Sequence, residues 1–339
     1  MEQVNVGIIG CGYWGPNLVR NFFDLPTVNL VAVSDLKLDR LTKIRSAYNS
    51  VYTTQNYEEL LKMDLQALVV ATPPPTHHAI ATKCLDNGIN VLVEKPITLK
   101  SEDALDLCKL ARTNELTLMV GHTFEYNPAV HALRDLMESG EMGEIHYIDT
   151  ARLNLGLFQR GLNVLWDLAP HDISILLYLL RQNPISVSSH GMSCVMEKVH
   201  DVVYLNLTFP NGVLAHVHVS WLDPCKVRRV TVVGSKKMVV YNDIEMQEKL
   251  RIYDKGVDSP PRGTTQLEET SFSYRYGDIT IPNIKMAEPL KMECQHFIDC
   301  VQNKKEPVSS GEEGYRVVKI LEAAQRSLVD SGHKEVIEW

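Results

Sequence analysis

The first third of the chain repeats one pattern: a short apolar run, a turn, then a helical stretch. The apolar runs cover residues 4–9, 28–33, 67–71, 89–93 and 116–120, and the helical stretches between them include EDALDLCKLAR at 102–112. Ser101 precedes that last stretch as its expected N-cap, with Glu102 and Asp103 in the first turn, where the helix dipole favours acids. Strands that are apolar throughout, and alternate with helices, imply βαβ units and hence a parallel sheet covered on both faces.

The pattern changes after residue 121. Helices are expected over 128–139 and 170–180, and between 185 and 253 the period becomes two, in VVYLNLTF, VLAHVHVSW, RRVTVVG, MVVYN and LRIY. Pro210-Asn211-Gly212 marks one of the turns. Such alternation implies an antiparallel sheet with one covered face. Residues 256–281 show no pattern, and two helical stretches near 289–302 and 312–331 close the chain. With 339 residues, more than one hydrophobic core serves, the expectation is two domains. One is a doubly wound parallel α/β sheet over 1–121. The other is an α+β domain over 122–339, built on an open, mostly antiparallel sheet, with the last helix packing back on the first domain.

A net charge of -8 argues against a general nucleic-acid binder. The basic run Lys226 to Arg229 is either a solvated strand edge or a local patch. Seven cysteines without a C-x-x-C read as free thiols in a reducing compartment. No apolar stretch reaches membrane-spanning length and the start carries no leader pattern, so the expected location is the cytoplasm, with no membrane partner. His77, His78, His216 and His218 lack acidic or thiol partners at ligand spacing, so no metal is expected.

Within the repeating third, Gly10-x-Gly12-x-x-Gly15 stands between the first apolar run and the first helix. The three glycines serve a tight turn, close approach of backbone to a pyrophosphate, and tight helix–strand packing. Tyr13 and Trp14 lie in the same loop and are expected cofactor contacts. Asp35 ends the second apolar run, where a carboxylate accepts from both ribose hydroxyls and repels a 2′-phosphate. The expected cofactor is NAD rather than NADP, with Lys37 softening that preference.

Lys95 ends the fourth apolar run, and Pro96 keeps it out of helical geometry. Ligands of open α/β sheets bind at the carboxyl ends of the strands. From its residues alone, Lys95 is either a proton-transfer group or a strand-end lysine paired with a nearby acid. Further on, WDLAPHDISILLYLL places Pro170 in an expected first helical turn, with His171 near the helix N-terminus. There the dipole lowers imidazole basicity while Asp167 or Asp172 raises it; the alternative is that Asp167 caps the helix and His171 satisfies it. Arg152 and Arg160 are either bidentate holders of a diphosphate or carboxylate, or surface arginines.

In order, the glycine loop, ATPPPTHH at 71–78, VEKP at 93–96 and DLAPHD at 167–172 resemble the glucose–fructose oxidoreductase and inositol dehydrogenase (Gfo/Idh/MocA) family. GHTFEYNPAV from Gly121 and EPVSSGEEGYRVV from Glu306 carry the resemblance over nearly the whole chain. It implies that Lys95 is the catalytic lysine and that Asp167 and His171 are the acid and histidine that meet it. It implies that Asn127 is a substrate-side asparagine, and that Thr72, Pro73, His77 and Glu94 are cofactor contacts. The surroundings of ARLNLG at 151–156 look most like members that oxidise nucleotide-activated sugars. The implied reaction is C3 oxidation of UDP-N-acetylglucosamine or its uronate with NAD, for surface-polysaccharide or lipid A synthesis. Arg152 would then join the substrate site. Alternatives are an inositol or polyol dehydrogenase, a deoxysugar 3-ketoreductase, and a non-catalytic NAD- and sugar-binding regulator. The family also implies a homo-oligomer, dimer or tetramer, built on the open sheet.

Overall fold

The structure, a computed structural model, describes residues 3–158, 161–258 and 272–339. Its first elements are β1 (Val4–Ile9), α1 (Gly15–Phe23), β2 (Val28–Ser34), α2 (Leu38–Ala47), β3 (Tyr52–Thr54), β4 (Ala67–Val70), α3 (His77–Asp86), β5 (Asn90–Glu94), α4 (Ser101–Thr113) and β6 (Leu118–Gly121). The six strands form one parallel sheet in the order β3-β2-β1-β4-β5-β6. Every residue of β4 and β6 is buried, as a sheet covered on both faces requires. The strand order reverses between β1 and β4, which is where the carboxyl ends of such a sheet open a ligand crevice.

The chain continues through α5 (Pro128–Glu138), β7 (Ile145–Leu155), α6 (Val164–Leu180), β8 (Ser186–Met192), β9 (Val202–Thr208), β10 (Leu214–Ser220), β11 (Leu222–Gly234), β12 (Met238–Asn242), β13 (Leu250–Asp258) and β14 (Ser273–Thr280). It closes with α7 (Pro289–Asn303), α8 (Gly311–Val329) and β15 (Glu335–Val336). The second sheet has nine strands, ordered β14-β13-β12-β11-β7-β10-β9-β8-β15, and is antiparallel except where β10 runs parallel to β7. Two compact units result: residues 1–127 with 287–322, and residues 128–286 with 323–339. The first unit thus runs past residue 121 and takes in α7 and most of α8.

Inward residues Val203, Leu205, Leu207, Ala215, Val217 and Val219 of the second sheet are all buried, while Tyr204, His216 and His218 alternate with them on the other face. The Tyr204 ring lies 4.2 Å from that of His218, so those histidines belong to an aromatic ladder. Strand β7 sits in the middle of the sheet yet was not legible as a strand. Thr150, Ala151 and Arg152 are all buried in sequence, which erases the period-two signal.

Two expectations at helix ends need correction. Helix α6 begins at Val164, not at Pro170: the Asn163 side chain caps it by accepting from Trp166 N at 3.2 Å, and Pro170 lies inside. A proline there costs about 3 kcal/mol. Burial of Leu165, Ile173, Leu176 and Leu179, worth about 1.5–3 kcal/mol each, outweighs it. His171 therefore sits mid-helix, away from the first-turn dipole. Ser101 does not cap α4; Lys100 holds that position without a side-chain bond. Ser101 N and Oγ instead donate to the Glu322 carboxylate, at 3.1 and 2.5 Å, so an acid from α8 serves the start of α4.

Arg152 on β7 clasps Asp172 on α6 in two bonds, Nε to Oδ2 at 2.6 Å and Nη2 to Oδ1 at 3.3 Å, with both side chains at most 7% exposed. Removing one partner strands a buried charge. Arg152→Met is expected to cost about 3–5 kcal/mol of unfolding free energy, read from the urea midpoint. A double change of Arg152 and Asp172 to apolar residues should recover most of that loss.

Candidate active site

The glycine loop follows β1. Gly10 has φ +103°, and a β-carbon on it would stand 2.4 Å from the Ala71 carbonyl oxygen. On Gly15 it would stand 2.2 Å from the Gly10 carbonyl oxygen. These two glycines are demanded by the protein's own packing. Gly12 differs: a β-carbon there would meet nothing nearer than Arg40 Nη1 at 3.9 Å. The space beside Gly12 is open, and it is the kind of cradle a pyrophosphate fills. Pro16 opens α1 and no side chain caps its N-terminus, which leaves the dipole end for an anion. Tyr13 is 86% exposed, and its ring lies parallel to that of Trp14 with centroids 6.4 Å apart.

Asp35 closes β2 and is held on three sides. Cys11 N donates to its Oδ2 at 2.6 Å, Lys37 N to Oδ1 at 2.8 Å, and Arg40 Nη1 to Oδ2 at 3.2 Å. The carboxylate is thereby fixed beside the loop, where a ribose hydroxyl would find an acceptor. The residues present fit a dinucleotide.

At the end of β5, Lys95 N donates to Glu94 Oε2 at 3.2 Å, and the Lys95–Pro96 peptide bond is cis. Glu94 faces Gly121 of β6 in register, and the glycine leaves its carboxyl room: a β-carbon there would press on it at 3.1 Å from Oε2. Burial pushes the Glu94 carboxyl up to about 7, against the opposing charge of Lys95. His77 is fully buried; its Nδ1 lies 2.9 Å from the Pro96 carbonyl oxygen and its Nε2 2.7 Å from that of Thr72. The imidazole thus ties the loop after β4, with Thr72 and Pro73, to the loop after β5. Burial lowers its basicity, with the two carbonyls opposing.

His122, directly after β6, is 1% exposed, and burial with the nearby Lys95 charge drives it down to about 3, so it stands neutral. Asn127 ends the first segment of the same unit, 2% exposed.

In the second unit, Asp167 and His171 lie one turn apart on α6 and so share a face. Trp221, 1% exposed, donates its Nε1–H to Asp167 Oδ2 at 2.9 Å and packs against Phe158 at 5.5 Å between ring centroids. Asp172, next to His171, is committed to Arg152, so Arg152 is a buried clasp and not a surface arginine. Burial raises the Asp172 carboxyl, with Arg152 opposing.

The structure therefore gathers Gly10, Gly12, Tyr13, Trp14, Gly15, Asp35, Thr72, Pro73, His77, Glu94 and Lys95 around the carboxyl ends of one parallel sheet. Asp167, His171 and Arg152 are gathered around α6. Arg160 lies outside the described residues. Sequence reasoning missed His122, Trp221 and the 1% exposed Glu293 of α7. His122 carried a readable signal, since it follows its strand as Lys95 follows β5; the other two are set by distant packing. Among the described residues no group of three His, Cys, Asp or Glu is placed to hold a metal, and no helix is long and apolar enough to cross a membrane.

Comparison with known proteins agrees with this fold. Residues 4–122 match the model of an oxidoreductase family with an NAD-binding Rossmann fold, GFO/IDH/MocA, and residues 130–240 match the C-terminal domain of that family. A UDP-N-acetylglucosamine 3-dehydrogenase of Acidithiobacillus ferrooxidans is 27% identical over 269 residues, spanning 77% of this chain and 80% of the relative. The scyllo-inositol 2-dehydrogenase (NAD(+)) of Bacillus subtilis is 26% identical over 325 residues, 91% of this chain and 89% of that one. A solved structure of the A. ferrooxidans UDP-N-acetylglucosamine 3-dehydrogenase superposes with a TM-score of 0.79 at 22% identity, covering 98% of this chain and 99% of that one.

Gly12→Ala is expected to fold as the parent does yet bind NADH at least about tenfold more weakly, a loss of ~1.4 kcal/mol. Gly10→Ala should also lower the melting temperature, because its β-carbon collides with the protein itself. NADH fluorescence titration beside thermal melts separates the two.

Proposed function

The chain belongs to the GFO/IDH/MocA oxidoreductase family, and from that premise we propose that it transfers hydride between a ring secondary alcohol of a sugar and NAD. The preferred substrate in this reading is a UDP-linked amino sugar, UDP-N-acetylglucosamine or its uronate, oxidised at C3. The observation that carries the reaction is the meeting of Lys95 with the cofactor residues at the carboxyl ends of one sheet. The glycine loop and Asp35 would hold NAD, which would supply the hydride acceptor for the ring carbon. Lys95 takes the proton of the hydroxyl being oxidised. The His77 tie between the Thr72 and Pro96 carbonyls holds its backbone in place. Asp167, oriented by Trp221, and His171 on the same helix face bind the substrate hydroxyls and share in proton transfer. Asn127 is a further hydrogen-bonding group on the substrate side.

The 27% identical UDP-N-acetylglucosamine 3-dehydrogenase supports the nucleotide-sugar substrate, and the 26% identical scyllo-inositol 2-dehydrogenase supports a second reading, a free polyol. Exposed Tyr147, Tyr204 and Leu214 on the outer sheet face support a homo-oligomer. The free cysteines support a reducing, cytoplasmic setting.

The test mixes purified protein, NAD and a panel of UDP-sugars, inositols and free sugars, with an oxidised keto acid present to recycle bound NADH. NADH absorbance is expected with UDP-N-acetylglucosamine or its uronate, and turnover should fall about 10²–10⁴-fold in Lys95→Ala while NADH binding persists. Signal with inositols alone would move the protein to the polyol reading. An unimpaired Lys95→Ala would sink the role given to that lysine.

A further inference from the structure

Near the ends of β5 and β6 the first unit holds a further set of buried titratable side chains. Glu293 on α7 is 1% exposed, and its Oε2 has no hydrogen-bond partner among the described residues. Its carboxyl shares a hydrogen bond with the side chain of Thr123. Glu94 reaches the same segment from β5, its Oε2 lying 3.1 Å from where a β-carbon on Gly121 would stand. The two carboxyl groups thus converge on residues 121–123. The residue between, His122, is equally buried, and neither ring nitrogen has a hydrogen-bond partner among the described residues.

Two carboxylates cannot both stay ionised in such a place with one cation beside them. Glu94 has that cation, since Lys95 is its neighbour in sequence and opposes its burial. Among the described residues Glu293 has none: burial and the charge of Glu94 both hold its carboxyl well above the ordinary range. The other groups that face it do not supply one. Tyr126 and Cys294 are themselves raised, chiefly by burial, with the Glu293 charge adding to it. From α1, Phe22 meets α7 edge-on against Phe297, while Arg20 and Asn21 are engaged by Glu288.

We propose that Glu293 is a positioning residue for Glu94 and, through it, for Lys95: it is the neutral acid of a buried carboxyl pair and, from the Oε2 that no described residue meets, donates its proton to one buried water that in turn donates to the Glu94 carboxylate. His122 completes the set as a neutral imidazole. Lys95 then has one carboxylate beside it and not two, and its affinity for the proton is set by that single counter-charge. The functional consequence rests on the proton-transfer role given to Lys95 above; the protonation state of Glu293 does not.

Infrared spectra of the ligand-free chain at neutral pH test the state directly. The carbonyl band of a protonated carboxyl is expected in the parent and expected to weaken in Glu293→Gln. Identical bands in the two would overturn the proposal. The titration midpoint of Glu94, followed by carboxyl NMR of glutamate-labelled protein, tests the hydrogen bond. Glutamine keeps a donor, so Glu293→Gln should leave the midpoint where it is, whereas Glu293→Leu should move it up by roughly one pH unit, because a donor to the charged form is lost. The acid limb of the kcat/KM profile should follow it. A packing role alone would lower stability and leave the midpoint in place, and a downward move in Glu293→Gln would mean that Glu293 is ionised; either defeats the proposal. If Glu293→Leu does not fold, the infrared comparison and the glutamine variant still decide. Lys95→Ala keeps the two readings apart: retained turnover there defeats the role of Lys95, while the infrared band of Glu293 is untouched.

Discussion

A parallel sheet buried on both faces has no surface on which to place chemistry except the ends of its strands. In this protein the β4 and β5 ends are locked together by one buried imidazole, since His77 sits between the carbonyl oxygens of Thr72 and Pro96. Both loops lose freedom at once, and Lys95 inherits a fixed backbone from them. The glycine loop is held by the same logic, with Cys11 N and Arg40 both on Asp35 and Gly10 pressed against the Ala71 carbonyl. Loops that would otherwise be mobile are thus preorganised by bonds to one another, and the positions offered to NAD are set before it binds.

The electrostatics around Lys95 follow from burial more than from pairing. Glu94 is pushed up to about 7 and His122 down to about 3, each because its charged form is poorly solvated there. The group of residues nearest the lysine therefore carries less charge than its composition suggests.

In the second unit the same problem is solved with a sheet that has a wet side. Alternate residues of β9 and β10 cover α6, and α6 in turn displays Asp167 and His171 on one face. Trp221 and the Arg152–Asp172 clasp fix that helix from the sheet side. The cost of a proline inside α6 is accepted because the helix is largely apolar and buried along most of its length.

The parallel sheet, the glycine loop, Asp35 and the strand-end Lys95 were legible in the sequence, because each depends on a local pattern of period, turn or spacing. The change to period-two strands announced the second sheet for the same reason. What the tertiary structure alone decided depends on partners far apart in the chain. Strand β7 hides in the sequence because its burial comes from neighbours on both sides, not from alternation. The start of α6 moved from Pro170 to Val164 because burial overrode a local signal. Arg152, which the sequence left open between a substrate contact and a surface arginine, proved to be the buried partner of Asp172. Glu293, read as one polar residue of a terminal helix, came to share residues 121–123 with Glu94, a convergence that only packing of distant segments can produce.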